Sequence, residues 1–225
     1  MKKIKFIGLI TARKNSQRVK NKNLILINKK PLLQYSLSAL KKSKKIKFGF
    51  ITTDCNKMSD LAKNNKIFTI KRPSNLALNN STSEDTLKHA INYIIEKFKF
   101  FPENIVFIQP TSPLINFNDL DNGIKKYIKT KADSLFSSYK AKYFIWRKNK
   151  KNFTSLTYNY NKRISTKKFK DQIVENGAYF IFNTKKFLKI KNRLFGKIET
   201  YTMPRYRSFE IDYKEDVDFL NKLKF

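Results

Sequence analysis

Short apolar runs alternate with stretches whose apolar positions recur at helical spacing along the first two-thirds of the chain. The runs Ile4–Ile10, Phe48–Thr52, Ile67–Ile70, Ile105–Ile108 and Ser134–Ser137 predict strands. Between them, Leu32–Lys42 after Pro31, Asn56–Asn64, Ser83–Lys97 and Asn118–Lys129 predict helices. Strand and helix in strict alternation argue for βαβ units, and so for an α/β fold with a doubly wound, mostly parallel sheet. Ser83 and Asn118 are the expected helix caps. Glu84, Asp85 and Asp119 place negative charge in first turns, where the helix dipole favours it.

The alternation lapses from Tyr139 to Val174. Aromatic, Lys-rich stretches with β character (Tyr143–Trp146 and Phe153–Tyr158) lead into a polar run, Asn159 to Gln172. This segment, 139–174, reads as an excursion from a single domain of 1–225 and is expected to be a dimerisation arm. The chain returns with strands at Ala178–Phe182 and Thr200–Met203 and a closing helix from about Lys214.

Composition narrows the possibilities. A chain of 225 residues, 40% hydrophobic and 14% aromatic, can bury one sizeable core. No apolar run approaches the ~20 residues that cross a bilayer. Ile4–Ile10 is short, lacks a small-residue cleavage site and leads straight into charge, so neither membrane insertion nor a signal peptide is expected, and the protein reads as soluble and cytoplasmic. One cysteine, Cys55, and one histidine, His89, exclude an internal disulfide, a thiolate cluster and a His-rich metal site. A metal, if used, must be a hard ion on carboxylates. His89 sits in a helical pattern and reads as structural.

The net charge is +32, from 49 Lys and Arg against 17 Asp and Glu. Such a field attracts polyanions. A coding bias toward Lys, Asn, Ile and Phe explains it equally well, because the lysines are spread throughout rather than gathered in one stripe. The rival to an enzyme is therefore a basic nucleic-acid-binding protein, with Tyr143, Phe144 and Trp146 as stacking candidates.

In open α/β sheets ligands are held at the carboxyl ends of strands. The segment after the first strand, "LITARKNSQRVKNKN", stands at such a place and offers Arg13, Ser16, Lys22 and Asn23: a fork donor, a hydroxyl, an ammonium and an amide, suited to phosphates and a nucleotide. It has neither the Gly-rich frame of a Walker loop nor a dinucleotide fingerprint. Gln109 ends the strand Ile105–Ile108, where side chains face the ligand. Glu210 and Asp212, at i and i+2, put two carboxylates on one face of an extended segment, and in a chain so short of acids the pair suggests Mg²⁺. Asp54 could cap the following helix as readily as touch a ligand.

With "TTD" (Thr52–Asp54), "RPSNLALNNSTSED" (Arg72–Asp85), "QPTSPL" (Gln109–Leu114), "ENGAYF" (Glu175–Phe180) and "SFEID" (Ser208–Asp212), the chain resembles the CMP-sialic acid synthetases, also called acylneuraminate cytidylyltransferases. The resemblance runs over nearly the whole chain and is weakest between Tyr139 and Gln172. It implies a Rossmann-like nucleotidyltransferase fold and a cytidylyltransferase that joins CTP to a nine-carbon 2-keto sugar acid of sialic, legionaminic or pseudaminic type, releasing pyrophosphate. It also implies that Arg13 and Lys22 bind the triphosphate, that Ser16, Asn23, Arg72 and Thr82 or Ser83 hold the nucleotide, and that Gln109 meets the sugar. Arg18 falls on a further functional position of the opening loop. Arg147 aligns with a residue that reaches the sugar carboxylate across a homodimer interface, and Tyr179 either lines the acyl-amino pocket or points into the core. The resemblance implies Mg²⁺ on Asp212 with Glu210, and catalysis by Arg13, Lys22 and Asp212. Where the family's opening loop has glycines, this chain has Lys14 and Asn15, and Asn15 is the one expected to keep the turn through positive φ. A related sugar nucleotidyltransferase with another base or sugar is the nearer alternative.

Overall fold

The computed structural model describes residues 1–16, 19–170 and 172–223. Eleven strands occur among them: β1 (Lys2–Thr11), β2 (Leu26–Ile27), β3 (Lys30–Pro31), β4 (Phe48–Thr53), β5 (Phe68–Lys71), β6 (Phe100–Ile108), β7 (Ser134–Ala141), β8 (Trp146–Lys148), β9 (Phe153–Ser155), β10 (Gln172–Asn183) and β11 (Ile198–Thr202). The helices are α1 (Leu32–Lys42), α2 (Asn56–Asn64), α3 (Ser83–Phe98), α4 (Phe117–Thr130), α5 (Thr184–Ile190) and α6 (Lys214–Lys222).

Seven strands form one sheet in the order β11-β7-β10-β6-β1-β4-β5. All neighbours pair in parallel except β10, which runs antiparallel to both β6 and β7. The expected α/β class and mostly parallel sheet are therefore present. The central strands are apolar at successive positions because both faces are covered. On β6, Val106 and Ile108 join the core beneath α1, α2 and α4, while Ile105 and Phe107 join the core beneath α3 and α5. A third cluster seats α6 against Ile27, Leu32 and Ile211.

Two expected caps shift. The N-cap of α3 is Thr82 rather than Ser83, its hydroxyl oxygen accepting the Asp85 amide at 3.0 Å. The N-cap of α4 is Asn116 rather than Asn118, in a reciprocal capping box with Asp119. In both cases the helix starts where a side-chain acceptor meets the third residue of the helix. Thr82→Ala is expected to lower stability by about 1 kcal/mol, measurable as a shifted urea midpoint with an unchanged slope.

The arm proper is narrower than the sequence suggested, since β7 extends to Ala141 and β10 begins at Gln172. Between them stand the β8–β9 hairpin and two short 3-10 turns. Aromatic rings hold it together: Phe144 lies 4.6 Å from Tyr158 and 5.2 Å from Phe169, and Arg163 stacks 4.6 Å over Phe144. No helix among the described residues is long and apolar enough to cross a membrane.

Candidate active site

The parallel strands β1, β4 and β6 end side by side, and a cleft of about 360 Å³ opens beyond their carboxyl ends. The loop after β1 supplies Arg13, Ser16, Lys22 and Asn23 to its lining. Asn23 is buried, and its amide donates to the Arg13 carbonyl at 3.0 Å, which closes the loop on itself. Neither Lys14 nor Asn15 takes the left-handed conformation expected of the turn; Asn21, at φ 54°, does so instead. The Lys14 amide donates to the Asp54 carboxylate at 2.7 Å, so Asp54 braces the loop and leaves the start of α2 without a side-chain cap. Arg18 lies outside the described residues.

Arg13 donates to the Leu78 carbonyl at 2.9 Å, drawing the 72–82 segment over the same cleft. That segment contributes Arg72 and Thr82, and the first residue of α3 adds Ser83. Arg72 is 6% exposed and its Nη2 donates to the Thr52 carbonyl at 3.1 Å. Burial pulls its pKa down to about 10, with Asp54 pushing it up and Arg13 adding to the fall, so it remains a cation at neutral pH. His89 has its pKa lowered, first by burial and then by Arg72, with Glu96 opposing, and it is not part of the cleft lining.

Across the cleft stand Gln109 at the end of β6, then Thr111, and the extended segment with Glu210 and Asp212. The two carboxylates face the cleft while Ile211 between them is fully buried, which is the alternation that the i, i+2 spacing requires. Thr111 connects the two walls: its hydroxyl donates to Glu210 at 2.8 Å and its carbonyl accepts the Ile211 amide at 2.9 Å. Sequence reasoning assigns this residue no role, although it follows Gln109 by two positions in the turn after β6. Lys22 joins the cationic and acidic sides directly, donating to the Ile211 carbonyl at 2.8 Å and to Asp212 at 3.1 Å.

The Glu175–Asn176–Gly177 run marks an irregularity in β10, where the register against β7 shifts between Glu175 and Phe180. Gly177 has φ +63°, and a Cβ there would stand 3.1 Å from Gln109 Oε1 and 3.2 Å from Glu210 Oε2. Gly177→Ala is therefore expected to cost about 1–2 kcal/mol from the backbone alone and to displace both cleft side chains. Urea unfolding and turnover should fall together.

Two expected site residues are not brought to the cleft. Tyr179 is fully buried, and its hydroxyl donates to the Asp119 carbonyl at 2.8 Å under α4. The alternative of an acyl-amino pocket is thereby corrected: Tyr179 is a core residue, because its position on β10 points toward α4. Arg147 lies on the exposed β8 of the arm and is not part of the cleft lining.

The family model described as Cytidylyltransferase matches residues 7–224. The chain belongs to the cytidylyltransferase family. Among curated members, N-acylneuraminate cytidylyltransferase of Escherichia coli is 28% identical over 95% of this chain and 51% of its own length, so the chain spans about half of that relative. CMP-N,N'-diacetyllegionaminic acid synthase of Campylobacter jejuni is 28% identical over 96% of this chain and 94% of its own. A solved structure, CMP:2-keto-3-deoxy-manno-octonic acid synthetase complexed with CTP, superposes with a TM-score of 0.69 at 14% identity, covering 97% of this chain and 98% of that one, which establishes the shared fold.

Proposed function

We propose that the chain transfers the cytidylyl group of CTP to a nonulosonic acid of sialic, legionaminic or pseudaminic type, giving the CMP-sugar and pyrophosphate. The observation that carries this reading is the meeting of Arg13, Lys22 and Arg72 with Glu210 and Asp212 around one cleft. A basic loop alone would suit any polyanion. Cations facing a pair of carboxylates suit a triphosphate that arrives with a metal.

The sugar's anomeric hydroxyl attacks the α-phosphorus of CTP in line with the departing pyrophosphate. Positioning and charge neutralisation suffice for this step, and no side-chain nucleophile is needed. Arg13 and Lys22 neutralise the charge that grows on the leaving group. Ser16, Asn23, Arg72, Thr82 and Ser83 hold the nucleotide, the last two at the positive end of α3. Gln109 orients the sugar acid.

Glu210 and Asp212 fit Mg²⁺. Both are hard oxygen donors on the cleft wall, and the described residues contain no group of three or more His, Cys, Asp and Glu that would form a closed protein cage. Two carboxylates leave room for the water and phosphate oxygens that Mg²⁺ prefers. Mg²⁺ bound there would screen phosphate charge and lower the pKa of the attacking hydroxyl.

The arm supports a homodimer in which Arg147 serves the partner's cleft. Trp146, Phe153, Leu156, Tyr160 and Ile164 are all more than 40% exposed on it, an apolar concentration that a solvated loop would not carry. Such an enzyme would work in the cytoplasm, where nucleoside triphosphates are made.

Pyrophosphate release should be measured with CTP, Mg²⁺ and a panel of sialic, legionaminic and pseudaminic acids, then repeated with UTP, ATP and GTP. Release with CTP and at least one of these sugars is expected. Release with another nucleotide and none with CTP would reject the assignment.

A further inference from the structure

The segment that carries Glu210 and Asp212 lies outside the sheet, so it takes its place from the single backbone bond of Ile211 to Thr111, the burial of Ile211 and side-chain contacts rather than from a ladder. One contact comes from Arg207, in the 3-10 turn Arg205–Arg207 just before it. Its guanidinium Nη1 donates to Asp119 Oδ2 at 3.0 Å, and its Nη2 stands 3.0 Å from Oδ1 as an ion pair, Oδ1 itself accepting no hydrogen bond. The Asp119 side chain is fully buried and that of Arg207 is 19% exposed. A second contact comes from Asn176, whose amide nitrogen donates to the Ser208 hydroxyl at 2.8 Å while its amide oxygen accepts the Ser137 hydroxyl at 2.6 Å. Beyond the acids, Asp216 accepts the amides of Asp212 and Tyr213, each at 2.7 Å.

Asp119 is held as firmly as the segment it anchors. Its Oδ2 accepts the Asn116 amide at 3.0 Å, and the Tyr179 hydroxyl holds its carbonyl. Burial raises its pKa, while the Asn116 amide and the Arg207 cation lower it. Removing the guanidinium would leave a buried carboxyl without its counter-charge. The planar guanidinium keeps one nitrogen on each carboxylate oxygen, Nη1 as a hydrogen-bond donor and Nη2 as a close charge, an arrangement that a single ammonium does not reproduce.

We propose that Arg207 and Asp119 are positioning residues, whose buried, hydrogen-bonded ion pair helps set where Glu210 and Asp212 stand and hence how tightly that carboxylate pair holds a divalent cation. The inference rests on the reading of Glu210 and Asp212 as metal ligands. An ion pair that merely stabilised α4 would leave metal affinity alone once the protein is folded. A pair that orients the ligands acts on the metal itself, as outer-shell partners do.

The test uses the full chain and Mn²⁺ in place of Mg²⁺, with the free Mn²⁺ signal followed by electron paramagnetic resonance in the absence and presence of CTP without sugar. Arg207→Met is expected to weaken Mn²⁺ binding by on the order of 10- to 100-fold, with Arg207→Lys intermediate. The Mg²⁺ concentration for half-maximal turnover should rise in parallel while the KM for CTP moves far less. If Arg207→Met does not fold, Arg207→Lys carries the test, with the same signs and a smaller shift. Binding at wild-type strength in the folded Arg207 variants, alongside its loss in Asp212→Asn, overturns the positioning role and leaves the metal reading standing. Wild-type protein that holds no Mn²⁺ in either condition, or Asp212→Asn that holds it as wild type does, overturns the metal reading and the inference with it.

Discussion

Asp212→Asn is expected to slow pyrophosphate release by on the order of 10³-fold, the equivalent of several kcal/mol of lost charge stabilisation. The substitution keeps the side-chain shape and removes only the charge. The backbone should stay in place, because the Asp212 amide is held by Asp216 at 2.7 Å and the Ile211 amide by Thr111 at 2.9 Å. Stability should change little. The Asp212 side chain is 37% exposed, and its pair with Lys22 is of the partly solvated kind worth about 0–1 kcal/mol. Activity and stability are therefore expected to separate cleanly in this variant. Turnover within tenfold of wild type, measured at saturating CTP and Mg²⁺, would remove Asp212 from the chemistry.

Arg13→Ala is expected to cost on the order of 3 kcal/mol of transition-state stabilisation, about 10²-fold in kcat/KM, by analogy with deleting one preorganised donor. The guanidinium donates to the Leu78 carbonyl at 2.9 Å. The same group can turn to a phosphate without rearranging the strand behind it, since Ala12 is buried and its amide is tied to the Thr52 carbonyl at 3.1 Å. A loss in kcat as large as that in kcat/KM would mean that Arg13 acts only in the transition state, and a loss confined to KM would mean ground-state binding of CTP. Arg13→Lys should recover part of the rate, because charge returns without the fork. Full activity in Arg13→Ala would contradict the assigned role.

The order of strands and helices was legible because each central strand is apolar at successive positions and each covering helix has one apolar face. The cleft was legible for a related reason: strand ends place ligands in such sheets, and Arg13 and Gln109 follow directly from the ends of β1 and β6. Less regular features escaped. The helix α5 has only seven residues, with Thr184 and Phe187 buried, too little to register as a period. The caps at Thr82 and Asn116 were displaced by one and two residues because several neighbouring side chains could serve, and backbone geometry chose among them. Tyr179 illustrates a different limit. Strand alternation says that a residue faces one side of the sheet, and only the position of α4 says that this side is core. Asp119 and Arg207 lie far apart in the chain, and no local pattern couples them. Glu175–Asn176–Gly177 was visible as a motif, yet its physical content, a left-handed glycine beside Gln109 and Glu210 with Asn176 holding Ser208, needed the fold.

The net charge of +32 remains compatible with a nucleotide-handling enzyme and does not need nucleic acid as a partner. The cations that matter to the proposed chemistry are few and oriented: Arg13, Lys22 and Arg72 line the cleft.

The most direct test is a crystal structure of the chain grown with CTP and Mg²⁺. The triphosphate is expected in the cleft beyond β1, in contact with Arg13 and Lys22, with a metal ion bound by Asp212 and phosphate oxygens. A nucleotide bound elsewhere, or a triphosphate in the cleft with no ion on Asp212 or Glu210, would contradict it.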